Sequence, residues 1–299
     1  MDNIKAFPAI LVLPGGAFRV CSDREGEPVA MAFYAEGYSA FVLDYTTVTK
    51  KPDATIDDPM NDCDAALSWI RQNTGELHLA EGKLAMIGFS GGGHLAASVA
   101  THGPQRPDLL LLGYPGIFPN KVRALICHDI LERVDAQTPS SFIFSTRDDT
   151  VVVSKNPLAF AQALDEAGVE YELHIFRSGV HGLSLAKPLT SSGDRNQVNA
   201  RFAQWFPLAV QWLKEKWNDF TVYGVNDGRT GRASIDSKIS ELIAWDRSAS
   251  VVEKYLPSVR QLAKQYPELG GASIRAAAKW GLPLSAEMLT QLDSELLAL

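Results

Sequence analysis

Cysteine is scarce in this chain. Cys21, Cys63 and Cys127 are the only three in 299 residues. They are odd in number and none is spaced as CxxC, so neither a disulfide framework nor a zinc knuckle is called for. Each reads as a small core or subsurface thiol in a reducing compartment. Long apolar runs are missing too, with no stretch reaching the ~18–20 residues of a membrane span. The opening Met1-Asp2-Asn3-Ile4-Lys5 does not show the charged-then-apolar layout of a signal peptide. The expectation is a cytoplasmic protein with no membrane partner. Positive charge is in deficit, 28 Lys and Arg against 35 Asp and Glu for a net charge of -7. With no basic run either, nucleic acid is an unsuitable partner, because phosphates need a basic face. Internal repeats and low-complexity segments are likewise lacking. The 46% hydrophobic and 21% charged residues that are present suffice for one large core plus an appendage.

Apolar runs and helical patterns alternate along residues 1–220. The continuous runs Ala9–Leu13, Ser39–Tyr45, Lys83–Phe89, Leu109–Pro115, Ser141–Thr146 and Val169–Phe176 read as buried strands. Helices are expected over Glu27–Glu36 (opened by Pro28, closed by Gly37), 58–71, 156–167 and 199–217. Residues 116–139 read as an insertion with a helical piece near 124–134. This alternation predicts an α/β fold with a doubly wound, mostly parallel sheet. A Gly-rich polar linker is expected over 221–234, and residues 235–299 contain no strand-like run. Four amphipathic helices are expected there, around Ile239, Val251, Ile274 and Met288, with Asp236, Ser248, Ser273 and Ser285 as N-caps. So small a helical appendage is expected to pack on the main domain or on another subunit, the latter making a homo-oligomer.

One stretch carries chemistry. Lys83 to Phe89 runs into Gly88-x-Ser90-x-Gly92, and Gly93-His94-Leu95-Ala96-Ala97-Ser98 continues as a helix. A bare GxSxG means little, but strand, sharp turn and helix in that order form the context of a nucleophile elbow. Gly88 and Gly92 are then steric requirements, and Ser90 is held strained with its hydroxyl at a helix N-terminus. A serine hydroxyl needs a base, the base a carboxylate, and the developing oxyanion needs donors. His181, in Gly179-Val180-His181-Gly182 just after a strand, is the preferred base. His94 is expected to pack locally, His128 is a candidate for touching substrate, and His78, His102 and His174 occupy bland positions. Asp148 and Asp149 both follow the strand ending at Thr146, and Asp149 is preferred. Oxyanion donors are expected from the Gly91 amide and one or two of Gly15-Gly16-Ala17. The pattern calls for no cofactor and no metal.

These pieces together resemble a serine carboxylesterase of the alpha/beta-hydrolase superfamily, in the branch of acetyl-xylan-esterase-like and hormone-sensitive-lipase-like enzymes. The resemblance covers roughly residues 8–217. It is carried by Leu13-Pro14-Gly15-Gly16-Ala17-Phe18, Glu25-Gly26-Glu27-Pro28-Val29-Ala30, Gly37-Tyr38-x-Ala40-Phe41-Val42-Leu43-x-Tyr45, Gly88 to Ala96, Asp149-x-x-Val152 and Gly179-x-His181-Gly182. It implies Ser90 as nucleophile, His181 as base and then acid, Asp149 as its orienting partner, and Gly16, Ala17 and Gly91 as oxyanion donors. The implied activity is hydrolysis of short-chain carboxylic esters, with acetyl esters of sugars as a substrate class. Amidase, formamidase or peptidase chemistry would use the same residues, and a non-catalytic binding module could use the same fold. Two positions depart from the pattern. Relatives often carry His-Gly-Gly-Gly where this chain has Pro14-Gly15-Gly16-Ala17, and proline where it has Val153.

Overall fold

The computed structural model describes residues 6–118, 124–217, 233–243 and 246–297. The chain divides into two compact units, Met1–Val210 and Gln211–Leu299. Of the expected linker 221–234, all but Ala233 and Ser234 lies outside the described residues.

The first unit is built on six strands: β1 (Phe7–Leu13), β2 (Ser39–Val42), β3 (Leu79–Phe89), β4 (Leu109–Gly113), β5 (Ser141–Thr146) and β6 (Tyr171–Phe176). All pair in parallel in the order β2-β1-β3-β4-β5-β6. Between them run α1 (Glu27–Ala35), α2 (Asp57–Gln72), α3 (Ser90–His102) and α4 (Lys155–Glu166), and α5 (Trp205–Lys216) follows β6. The strands alternate their apolar residues between two buried faces. Leu11, Leu13, Met86, Leu110, Leu112 and Ile143 face Met60, Cys63 and Leu67 of α2, Leu95 of α3 and Phe160 and Leu164 of α4 in one cluster. The opposite face is aromatic: Phe89 and Phe144 meet Trp205, which also meets Phe33 of α1. Trp205 and Phe144 stack with centroids 4.2 Å apart. Burial on both faces explains why these strands read as continuous apolar runs.

The chain starts at β1, steps outward to β2, then crosses back to β3 on the other side. That reversal puts the topological switch point between β1 and β3, where open α/β sheets form their crevice beyond the strand C-termini.

Three expectations require correction in this unit. The helix over 124–134 is absent: only Leu131–Arg133 forms a single 3-10 turn among the described residues. Asp129 Oδ1 captures the Leu131 N–H at 3.0 Å, and the Ala124 N–H is spent on the Ala17 carbonyl. Strand β2 ends at Val42, not Tyr45. The last helix begins at Trp205 after a 3-10 turn at Phe202–Gln204, because Asn199 Oδ1 takes the Arg201 and Phe202 N–H groups.

The second unit has its own apolar core, including Ile239, Leu242, Val252, Leu256, Ile274, Leu292 and Leu296. Six helices are described there instead of four: α6 (Ile239–Leu242), α7 (Asp246–Tyr255), α8 (Val259–Gln265), α9 (Pro267–Gly271), α10 (Ile274–Lys279) and α11 (Ala286–Leu297). The two extra ones, α8 and α9, span only seven and five residues, too short to show a helical period. Ser273 and Ser285 do cap, accepting from Ala276 N and Met288 N at 3.2 Å. Asp236 instead pairs with Arg275, and Ser248 lies inside α7 with its hydroxyl donating to the Leu242 carbonyl. No helix among the described residues is long and apolar enough to cross a membrane.

The turn between β3 and α3 has no room for side chains at Gly88 or Gly92. A Cβ on Gly88 would collide with the Gly92 carbonyl and stand 2.8 Å from Ala96 Cβ; one on Gly92 would collide with the Leu13 and Pro14 carbonyls. The carbonyls are backbone and cannot swing aside. Gly88→Ala is therefore expected to cost about 3 kcal/mol of stability, and urea denaturation checks it; a loss below about 1 kcal/mol would show that the turn has room to spare.

Candidate active site

Ser90 opens α3 with φ +51, a left-handed conformation that a non-glycine residue holds only where its surroundings enforce it. Gly88 and Gly92 do so by letting α3 close onto the ends of β1 and β3. Ser90 Oγ lies 2.7 Å from Nε2 of His181. On the far side of the ring, His181 Nδ1 lies 2.7 Å from Oδ2 of Asp149. Asp149 follows β5, His181 follows β6, and Ser90 follows β3, so three strand ends converge on one hydrogen-bonded line.

Asp149 is 3% exposed. Its other oxygen, Oδ1, accepts from Val151 N at 2.8 Å and Val152 N at 2.9 Å. The carboxylate is thus aimed by its own downstream backbone, with one oxygen left for the imidazole. A carboxylate only accepts, so it fixes the proton on Nδ1 and leaves Nε2 to accept from the serine hydroxyl. Asp148 does different work: its Oδ1 accepts the Gly179 N–H at 2.7 Å, while Thr146 Oγ1 donates to the Gly179 carbonyl at 2.7 Å. Together they pin the start of the loop that carries His181.

The loop after β1 separates its carbonyls from its amides. Tyr45 donates to the Pro14 carbonyl, Ser22 N to Gly15, Arg19 N to Gly16, Ala124 N to Ala17 and Val48 N to Phe18. Gly15 N is taken by Glu25. Among the described residues no acceptor takes the Gly16 or Ala17 N–H. The Gly91 N–H lies in the first turn of α3, where a helix offers no internal partner. A Cβ built on Gly91 would stand 3.0 Å from Ala17 N, so these two amide-bearing segments are in contact. Ala17 has φ +54 and Phe18 φ +61. The departure from glycine at 17 is therefore accommodated in a left-handed conformation that disfavours a Cβ, held by the carbonyl bonds on either side.

The other histidines lie elsewhere. His94 is fully buried with Nδ1 2.7 Å from the Gly116 carbonyl. His128, expected as a substrate contact, instead packs edge-on against His102 at 4.8 Å and faces Asp57 at 3.7 Å. His174 pairs with Glu172 at 2.6 Å. The aromatic side chains of Phe18, Tyr45 and Tyr114 are buried. Sequence reasoning passed over Glu25, Arg24 and Asn156. Glu25 is 3% exposed and bonded to the loop after β1. Arg24 donates to the Gly182 and Thr190 carbonyls and to Gln197. Asn156 Oδ1 receives the Ile117 and Phe118 amides. The Glu25-Gly26-Glu27-Pro28 run was noticed, but nothing in it distinguishes a buried acid from a solvated one. Among the described residues no group of three or more His, Cys, Asp or Glu is arranged to hold a metal ion.

A parallel doubly wound sheet with a serine, an aspartate and a histidine, in that chain order, beyond three of its strand ends defines the alpha/beta-hydrolase class. Comparison with known proteins agrees. The family model described as BD-FAE matches residues 2–123. The alpha/beta hydrolase MGS-M1 from a Medee basin deep-sea metagenome library is 40% identical, over 72% of this chain and 86% of that one, with a TM-score of 0.67. An acetyl ester-xyloside bifunctional hydrolase from Caldicellulosiruptor lactoaceticus is 31% identical over 72% and 85% of the two chains, TM-score 0.62. Endo-1,4-beta-xylanase B of Butyrivibrio fibrisolvens is 33% identical over 64% of this chain, which spans about a third (35%) of that longer protein. The chain belongs to the alpha/beta-hydrolase superfamily.

The two neighbouring aspartates can be separated by experiment. Asp149→Asn puts a donor where Nδ1–H needs an acceptor and is expected to slow fluorophosphonate labelling of Ser90 by about 10⁴-fold. Asp148→Asn keeps an acceptor for Gly179 N and is expected to slow it by less than about 10-fold. Equal effects from the two variants would refute the assignment.

Proposed function

We propose that the protein hydrolyses short-chain carboxylic esters through an acyl-enzyme, with acetyl esters of sugars as the substrate class. The observation that carries this reading is the unbroken line Asp149–His181–Ser90, with both bonds at 2.7 Å, lying beside unspent backbone amides. The substrate class draws its support from the acetyl ester-xyloside hydrolase among the relatives.

In this reading His181 Nε2 takes the Ser90 proton as Oγ attacks the ester carbonyl. Negative charge moves onto the carbonyl oxygen, where the N–H groups of Ala17, Gly91 and Gly16 receive it. Amides already fixed in place need no reorganisation at that moment, and each such donor contributes roughly 10²–10³ in turnover. The imidazolium, steadied by the Asp149 carboxylate, then returns its proton to the departing alcohol oxygen. Water repeats the sequence on the acyl-serine, freeing the acid and restoring Ser90. Residues 1–220 carry this chemistry, and residues 235–299 are a separate appendage that we take to serve packing or self-association.

Purified protein is expected to release p-nitrophenol from p-nitrophenyl acetate with an initial burst equal to the enzyme concentration. Ser90→Ala is expected to abolish the burst and lower turnover by about 10⁶-fold. Undiminished turnover in that variant would refute the proposal. A panel of acetyl-xylo-oligosaccharides, longer acyl esters, formyl amides and dipeptide amides then reads out the class; faster cleavage of the amides would replace ester by amide hydrolysis.

A further inference from the structure

Behind the loop after β1 sits a carboxylate that the reaction above does not use. Glu25 is 3% exposed, and both of its oxygens are engaged. Oε2 accepts from Gly15 N at 2.8 Å, and Oε1 accepts from the hydroxyl of Tyr114. The Tyr114 oxygen accepts in turn from Ser184 N at 2.9 Å, three residues beyond His181. Ser184 is held as well: its hydroxyl donates to the Arg24 carbonyl at 2.6 Å and its carbonyl accepts from Trp205 Nε1 at 2.9 Å. The Tyr114 ring itself lies edge-on to the His181 imidazole, centroids 5.1 Å apart.

We propose that Glu25 is a positioning residue, whose carboxylate clamps the amide-bearing loop at Gly15 and, through Tyr114, the loop carrying His181, so that donors and base keep one geometry. The inference rests on the acyl-transfer reading of Ser90. A carboxylate is required because two donors, Gly15 N–H and Tyr114 O–H, converge on the group and only an acceptor pair satisfies both. Glutamine offers one acceptor and turns an NH₂ toward the other donor, and aspartate is one methylene too short to reach both. Burial first, and then the neighbouring Glu25 charge, push the Tyr114 hydroxyl well above its ordinary pKa, which keeps it a donor. Gly15 is gripped between the acid and the elbow: a Cβ there would stand 2.6 Å from Glu25 Oε2 and 3.1 Å from Ser90 Cβ. A shift of the carboxylate is thereby passed to the turn that carries the serine.

The test compares wild type, Glu25→Gln, Tyr114→Phe and the double variant. Sites are counted by fluorophosphonate stoichiometry, turnover of p-nitrophenyl acetate is expressed per counted site, and amide hydrogen exchange is followed at Gly15 and Ser184. Each single variant is expected to lose roughly 10- to 100-fold in kcat per site, somewhat less than removal of a donor outright, with KM within about twofold. The double variant is expected to be no worse than the poorer single one, because the two residues act as a unit. Exchange at Gly15 and at Ser184 is expected to quicken together in Glu25→Gln. A full kcat per site with fewer sites would mark a merely structural residue and overturn the proposal, as would additive losses. Absence of Ser90-dependent turnover in the wild type would instead sink the esterase reading. Exchange alone then decides the role of Glu25, and unchanged protection at both amides refutes it. Should Glu25→Gln not fold, Tyr114→Phe carries the same readouts, with Ser184 exchange as the deciding signal.

Discussion

The whole site depends on how closely the first turn of α3 can approach the ends of β1 and β3. Without side chains at 88 and 92, the α3 backbone rests directly on the carbonyls of Leu13 and Pro14. That contact forces Ser90 to φ +51 and lifts its hydroxyl out of the sheet. It also carries the Gly91 amide up against Ala17. One steric constraint therefore fixes the Ser90 hydroxyl, places a helix N-terminus beside it, and brings the Ala17 loop against the Gly91 amide.

Around that contact, polar groups are divided so that one polarity faces inward. Every carbonyl from Pro14 to Phe18 is spent on a donor: Ser22 and Arg19 farther along the same loop, Tyr45 and Val48 after β2, and Ala124. The amides at 16 and 17 are left over. On the proposed acyl-transfer reading these amides are donors held ready for a charge not yet formed, an arrangement unfavourable in the resting protein and sustained by the bonds made elsewhere in the loop. The same division appears at His181, where Asp149 is turned by its own backbone bonds until a single oxygen faces the ring.

The parts of this arrangement that were legible in the sequence are those with a steric or periodic signature. Gly88, Ser90 and Gly92 stand out because a strand, a turn too tight for side chains and a helix succeed one another. His181 stands out because it follows a strand and lies between glycines, and Asp149 because it follows the strand before. The buried strands were visible as apolar runs, although β2 stops earlier than its run suggests. Hydrogen bonding overrode the helical pattern of 124–134, where the Ala124 amide goes to the Ala17 carbonyl and the Leu131 amide to the Asp129 side chain. Glu25 lies in a segment that carries the family resemblance, and Asp148 is the alternative to Asp149, but each sits in a polar run, Ser22-Asp23-Arg24-Glu25 and Arg147-Asp148-Asp149. Nothing in those runs says which acid is buried or what it holds.

By itself the sequence determined the alternation of strands and helices, the elbow, and the chain order serine, aspartate, histidine, because each is a property of neighbouring residues. Folding alone decided which of two adjacent acids meets the ring, which amides are left without acceptors, and that a tyrosine following β4 and a glutamate before α1 share one hydrogen bond. Those outcomes join residues far apart in the chain, 32 positions for Asp149 to His181 and 89 for Glu25 to Tyr114. Such pairings are set by the register and crossing order of the strands, which no short window of sequence contains.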